Sequence, residues 1–347
     1  MSASTTTNIG KYFWGLLALG LLAGTCTISV ADEMQRFAKT EFHMAVDFEV
    51  VLYAQDEAAA NLAFAAAFAR IAELNRKLSD YDPESELSRL SARAGDKQLI
   101  PLSDDLFAVL RASQRMSEAS GGAFDVTVGP LTKLWRRARR QRELPSAERV
   151  HEASAAVGHQ RLKLDQQTKS AILELPAMRL DLGGIAKGYA VDEALTAIRK
   201  VGIQQALVRG SGDIAAADPP PGEKGWKIGL APLNPDDPPL HFVWLANAAV
   251  STSGDARQHL VVDGRRYSHL IDPRSGAPVE GRSSVTILAP NGLVADSLAS
   301  AVSVLGLDKG FELVEQTPDA AALLVWEQTG GEPRVVRSNR FPTYEIE

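Results

Sequence analysis

The stretch that most constrains this chain is Arg179-Leu-Asp-Leu-Gly-Gly-Ile-Ala-Lys-Gly-Tyr-Ala-Val-Asp192. It reads as a short buried strand that enters a glycine turn and leaves as a helix. Gly183 and Gly184 let the backbone bend and approach a ligand with no Cβ in the way. Asp181 stands at the mouth of the turn, and Lys187 falls in the first helical turn. Ala190, Val191, Ala194, Ile198 and Val201 continue an apolar stripe until Gly202 stops it. A helix start with free N–H groups, glycine and a nearby lysine is a natural anion site. A plain strand-to-helix corner has the same signature. Two common phosphate frames are excluded: Lys187 is followed by Gly188, so there is no G-x-x-x-x-G-K-[ST], and no G-x-G-x-x-G opens this helix.

With 347 residues, 45% of them hydrophobic, the chain can bury a sizeable core. A net charge of −6 argues against general nucleic-acid binding. The N-terminus differs from the rest. Lys11 precedes the apolar run Tyr12 to Ala23, and Ser29-Val30-Ala31 makes a small-x-small cleavage site. Residues 1–31 are therefore expected to be a secretory signal cut after Ala31. The alternative is an uncleaved anchor, which would leave the chain tethered through residues 12–31. Thr25 disfavours lipidation at Cys26. The expected location is outside the cytoplasm, periplasmic in a two-membrane cell. Cys26 is the sole cysteine, so a chain cut after Ala31 has no disulfide, thiolate metal site or cysteine nucleophile.

Met44 to Tyr53 alternates like a strand. Phe64, Phe68, Ile71, Leu74 and Leu78 recur at helical spacing within Asp56 to Ser79 and read as core. A polar loop around Pro83 leads to a short helix. Ser103 caps another helix, with Asp104 and Asp105 in its first turn, that stops at Gly121-Gly122. Gly122 to Trp135 reads as a buried turn ended by Gly129-Pro130. Arg136 to Arg142 is the most basic run and reads as a solvated helical face or loop, since no aromatics interleave with it. Further strands are expected at 171–175, 204–208, 226–231, 241–246, 284–288 and 320–326, with a hairpin turn at Asp263-Gly264. Ala295 to Ser300 starts a helix that Gly306 ends. No linker divides residues 38–346, which are expected to form one α+β unit.

Asp296 and Ser300 are four apart on a helix, so both face one way. With a glycine-turn carbonyl they make hard oxygen ligands suited to Mg²⁺ and substrate phosphates. A helix-start cap is the plainer role for Asp296. His269, before Leu270, is either structural or a general base beside a phosphate site.

Several stretches coincide in order with one family. They are Leu78-Ser-Asp-Tyr81 with Ser85-Glu-Leu87, Gly122-Ala-Phe-Asp125 through Trp135, Asp181 through Asp192, Gly212-Asp213-Ile214, Thr252-Ser-Gly254, Ser268-His-Leu-Ile-Asp-Pro273 and Ala295-Asp296. In these the chain resembles the ApbE family of flavin transferases, which move FMN from FAD to a threonine of a target protein. The resemblance implies a T-fold-like α+β architecture with mixed, largely antiparallel sheets and packed helices. It also implies the reaction, with AMP released, FAD as substrate, Mg²⁺ as cofactor and an exported acceptor protein as partner. Met44, Tyr81, Ala123, Phe124 and Asp125 would hold the flavin or adenine portions, with Leu270 also in the FAD site. Asp181 and Lys187 would contact the dinucleotide. The Gly184 carbonyl, Asp296 and Ser300 would bind Mg²⁺, and His269 would be the base. On the same scaffold, an FAD pyrophosphatase giving FMN and AMP is one alternative, and a decayed FAD-binding protein is another. The chain departs from the family pattern at Ala45, Ala256, Ala299 with Ser300, and Arg209-Gly-Ser-Gly-Asp213.

Overall fold

Alternation in one strand dictates the layers. Within Val46–Ala54, Phe48, Val50, Leu52 and Ala54 are buried in one apolar cluster and Val51 in another. A strand apolar on both faces belongs inside a sheet that is covered on both sides. The computed structural model describes residues 34–341 except 235, 240, 255–258, 263 and 328–332. The expected signal at 1–31, Ala256 and the first residue of the Asp263-Gly264 turn lie outside the described residues.

In chain order the elements are strands β1 (Gln35–His43) and β2 (Val46–Ala54), helices α1 (Glu57–Leu78) and α2 (Glu86–Ala92), and strand β3 (Ile100–Pro101). Helices α3 (Asp104–Ala119), α4 (Gly129–Gln141) and α5 (Ala147–Ser154) follow, then strands β4 (Leu162–Asp165) and β5 (Ser170–Leu173) and helix α6 (Ala186–Lys200). Next come strands β6 (Ala206–Gly210), β7 (Asp213–Ala216), β8 (Trp226–Gly229), β9 (Phe242–Leu245) and β10 (Ala248–Gly254). Strands β11 (His259–Val262), β12 (Arg265–Ser268) and β13 (Arg282–Ala289), helices α7 (Gly292–Leu305) and α8 (Leu307–Gln316), and strands β14 (Ala321–Glu327) and β15 (Arg334–Arg337) complete the fold.

One eight-stranded antiparallel sheet, ordered β1-β2-β6-β7-β10-β13-β14-β15, spans the molecule. Helices α1, α6 and α7 bury their apolar stripes on one face. The β8–β9 hairpin covers the other, setting Trp226, Ile228, Val243 and Leu245 against Val51, Leu207, Val250 and Leu288. This is the expected α+β class with largely antiparallel sheets. A third cluster joins Leu131, Trp135 and Ala138 of α4 to Leu260 of β11 and to Ile271.

Register gathers the turns that matter. Phe48 pairs with Gly210, Gly210 with Asp213 and Asp213 with Ser251, so the β1–β2 and β6–β7 turns share one end of the sheet. Met44 and Ala45 form the first of these, with φ of 49° and 62°. Such a two-residue hairpin turn favours glycine or asparagine, because a Cβ crowds the left-handed backbone.

Three sequence expectations change. Arg179 to Leu182 is not a strand; it makes a single parallel bridge, Arg179 to Val128. The partner segment turns into α4 at Gly129, so no ladder can grow. Gly129-Pro130 begins a helix instead of ending a segment, with Pro130 in the first turn where its missing N–H costs nothing. Helix α7 starts at Gly292, capped by the Asn291 side chain, so Asp296 lies in its second turn and is no cap. Strand β1 and helix α8 were not foreseen. Among the described residues no helix is long and apolar enough to cross a membrane.

Candidate functional site

Helices α6 and α7 touch backbone to backbone. A Cβ on Gly188 would fall 2.1 Å from the Gly292 carbonyl oxygen, and one on Gly292 would fall 2.4 Å from the Gly188 carbonyl oxygen. Asp192, one turn further along α6, accepts the Gly292 and Leu293 N–H groups at 2.7 and 2.9 Å. The start of α7 is thereby fixed on α6.

This crossing delivers Asp296 to the start of α6. The Gly188 N–H donates to Asp296 Oδ2 at 3.0 Å. Lys187 Nζ lies 3.8 Å from the same oxygen and 3.2 Å from Asp213 Oδ2, and donates to the Gly183 carbonyl at 3.2 Å. The Ser251 hydroxyl donates to the other Asp213 oxygen at 2.6 Å. Burial, and then the Asp213 charge, lift the Asp296 carboxyl to about 7, with Lys187 pulling the other way. Burial alone would lower Lys187, but Asp213 and Asp296 outweigh it and hold its ammonium above the usual lysine range.

Ser300 follows one turn after Asp296. A Cβ on Gly184 would fall 2.6 Å from Ser300 Oγ and 3.4 Å from a Phe124 ring carbon. Gly184, Ser300 and Phe124 therefore meet in a cradle that only glycine leaves open. The oxygen types gathered here, carbonyl, hydroxyl and carboxylate, match a hard cation such as Mg²⁺. A cation here would share the Asp296 carboxylate with Lys187. Among the described residues no group of three or more His, Cys, Asp or Glu offers another ligand set.

A rim of charge borders the glycine turn. Asp181 accepts the Gly183 N–H at 2.8 Å through one oxygen and an Arg136 N–H at 2.7 Å through the other. Arg136 also pairs with Asp80, and its guanidinium lies 4.6 Å from the centre of the Tyr81 ring. Arg179 donates to the Asp80 carbonyl at 2.5 Å. Burial, then the nearby Asp181, push the Asp80 carboxyl up. Tyr81 itself is 71% exposed. The expectation of a solvated face fails for Arg136, because two carboxylates and an aromatic ring surround it.

The other expected residues occupy distinct places. Ala123 and Phe124 are buried. Asp125 is also buried and accepts both the N–H and the hydroxyl of Thr127 at 2.7 Å, so it secures its own turn. Burial raises its pKa. Met44 packs on the main core at the sheet end shared with the turn before Asp213. His269 and Leu270 follow β12. Their segment docks on α4, where the Trp135 indole N–H donates to the Gly276 carbonyl at 3.0 Å and Ile271 packs near Leu131. The helix that sends Arg136 to Asp181 thus also carries the His269 segment.

Sequence reasoning gave no role to Asp80, Arg136, Arg179 or Asp213. Asp80 and Asp213 sat inside quoted motifs, and Arg136 immediately follows one. Two open clefts, of about 420 and about 530 Å³, lie elsewhere, and neither is lined by Lys187 or Asp296.

Residues 43–324 match the ApbE family. A Haemophilus influenzae protein named FAD:protein FMN transferase is 33% identical over 265 residues, which covers 74% of this chain and 77% of that one. The crystal structure of the ApbE protein from Thermotoga maritima matches with a TM-score of 0.80 at 29% identity, covering 90% of this chain and 100% of the other. The Pseudomonas stutzeri flavinyl transferase ApbE, in its apo form, matches with a TM-score of 0.78 at 32% identity, covering 89% and 96%. Sequence and fold agree along most of the chain's length, and the chain belongs to the ApbE family.

Proposed function

We propose that this protein transfers FMN from FAD to a threonine hydroxyl of a partner protein, releasing AMP, and that it does so outside the cytoplasm once residues 1–31 are removed. The observation that carries the reading is the meeting of Gly184, Lys187, Asp296 and Ser300 at the α6–α7 crossing, beside the Asp181 and Tyr81 rim. The names borne by the relatives point the same way.

In this reading the threonine oxygen attacks the phosphorus on the FMN side of the diphosphate. The bond from that phosphorus to the bridging oxygen breaks, and AMP leaves with that oxygen. The threonine proton passes to His269. Lys187 presents a charged ammonium, kept protonated by its two carboxylates, toward the anionic diphosphate. Asp181 holds the glycine turn through the Gly183 N–H, so the backbone is set before substrate arrives. Tyr81, backed by Arg136, offers an exposed flat ring for stacking against a planar base. Gly184, Asp296 and Ser300 would hold Mg²⁺, which neutralises charge on the phosphoryl oxygens when bound.

The test is direct. Purified protein is incubated with FAD, Mg²⁺ and threonine-bearing acceptor peptides, and denatured peptide is checked for covalent flavin by fluorescence and mass. The expected result is a gain of one FMN per peptide with AMP in equal amount. AMP release without labelled peptide would instead make the protein a hydrolase. His269→Ala should lower kcat more than FAD affinity, and the reverse pattern would make it a binding residue.

A further inference from the structure

Lys187 and a bound cation would compete for one carboxylate. In the proposed ligand set of Gly184, Asp296 and Ser300, Asp296 supplies the whole negative charge. Its Oδ2 stands 3.8 Å from Lys187 Nζ. An ammonium that settled on that oxygen would offset the charge that attracts a divalent cation. Two other oxygens hold the ammonium more closely. Lys187 Nζ lies 3.2 Å from Asp213 Oδ2 and donates to the Gly183 carbonyl at 3.2 Å.

Asp213 is fixed from the sheet side. It opens β7, and its register partner across the ladder is Ser251 of β10. The Ser251 hydroxyl donates to Asp213 Oδ1 at 2.6 Å, so one carboxylate oxygen is tied to the sheet while the other faces Lys187. The preceding residue is pinned as well. The Thr252 N–H donates to the Gly212 carbonyl at 2.9 Å, and a Cβ on Gly212 would fall 2.5 Å from the Thr252 carbonyl oxygen. Asp213 is buried, so water does little to screen its pull on the ammonium. Lys187 therefore stands between a sheet and a helix crossing, and the carboxylate on the sheet is the nearer. Resting on the Mg²⁺ site proposed above, we propose that Asp213, held by Ser251, is a positioning residue that draws Lys187 off Asp296 and so leaves Asp296 open to the divalent cation. Lys187 keeps its charge for the diphosphate with Asp213 as counter-ion, and the one carboxylate of the metal site is not spent on it.

The experiment measures Mn²⁺ binding by loss of the free-ion electron paramagnetic resonance signal, on protein without FAD and on protein loaded with FAD. Asp213→Asn keeps the shape of the side chain and removes its charge. Lys187 should then lean on Asp296, and the Kd for Mn²⁺ should rise about tenfold, the lower end of the effect of altering a group that tunes a metal ligand from outside. Ser251→Ala should shift the Kd the same way by less. Asp213→Asn/Lys187→Met removes the competing ammonium, so Mn²⁺ binding should return to the wild-type value. If Asp213→Asn does not fold, Ser251→Ala against Ser251→Ala/Lys187→Met makes the same comparison. A single variant that binds Mn²⁺ as wild type does overturns the proposal. A double variant as weak as the single one also overturns it, and makes Asp213 a metal ligand or a purely structural group. Wild type that binds no Mn²⁺ in either form overturns the metal site itself, so the two failures are told apart.

Discussion

At the α6–α7 crossing, Lys187 and Asp296 are held by peptide groups: the Gly183 carbonyl takes the ammonium and the Gly188 N–H takes the carboxylate. On the α4 rim, Arg136 is held by side chains alone, Asp80, Asp181 and the Tyr81 ring. The two regions are anchored differently. The crossing sets the short Asp296 side chain from rigid backbone and ties the long Lys187 to a peptide carbonyl as well as to two carboxylates. The rim freezes a long arginine, which costs up to about 2 kcal/mol of rotamer entropy, and offsets it with charge-assisted hydrogen bonds. The crossing is therefore expected to fail abruptly when altered, and the rim by degrees.

The sharpest way to break this contrast is Asp296→Asn. Turnover should fall roughly 10³-fold, yet thermal stability at pH 8 should hold, because burial makes the ionised carboxylate unfavourable in the fold. A variant that kept turnover would remove Asp296 from the chemistry. Gly188→Ala comes next. Its methyl would meet the Gly292 carbonyl, and about 3 kcal/mol of stability should be lost in urea unfolding. A fully stable alanine variant would show that the helices part easily. Arg136→Met tests the rim: KM for FAD should rise roughly tenfold, the lower end of the cost of leaving charged partners unpaired, with kcat nearly unchanged. A collapse of kcat would move Arg136 into the reacting centre.

The smallest effect concerns pH. Burial lifts the Asp192 carboxyl from 3.8 to about 6, although two backbone N–H donors oppose the shift. The folded state then keeps its proton longer than the unfolded state, so stability declines as pH rises from about 4 to about 6. Asp192→Asn should flatten that decline by on the order of 1 kcal/mol. An unchanged slope would assign the decline to the other buried carboxyls that are pushed up, Asp296, Asp80 and Asp125.

Much of the architecture could be read from spacing. Phe64, Phe68, Ile71, Leu74 and Leu78 marked α1 because one helix face is buried along its length. Strand β1 left no such mark, since an edge strand exposed along most of its length needs no apolar alternation. Helix α8 hid behind Gly306, which caps the end of α7 and the start of α8 at once. The glycine turn was legible because Gly183 and Gly184 stand side by side before a helical stripe, but the helix crossing was not, since Gly188 meets Gly292 from a distant part of the chain. The rim was not, because an arginine that bridges two carboxylates has the same letter as one that dangles in water. Ala45 shows the converse. Its departure from the family pattern was visible, but only the structure shows the left-handed backbone that a Cβ strains there.

The contact between Gly188 and Gly292 has a wider implication. Where two main chains abut with no side chain between them, their spacing is a fixed gauge: no substitution can shorten it, and any added atom widens it. The interval between the lysine of one helix and the carboxylate of the other is thus set once, by peptide geometry. Descendants of this chain that drift in rate or in choice of partner must do so by rewriting the periphery, because the gauge itself admits only being kept or lost.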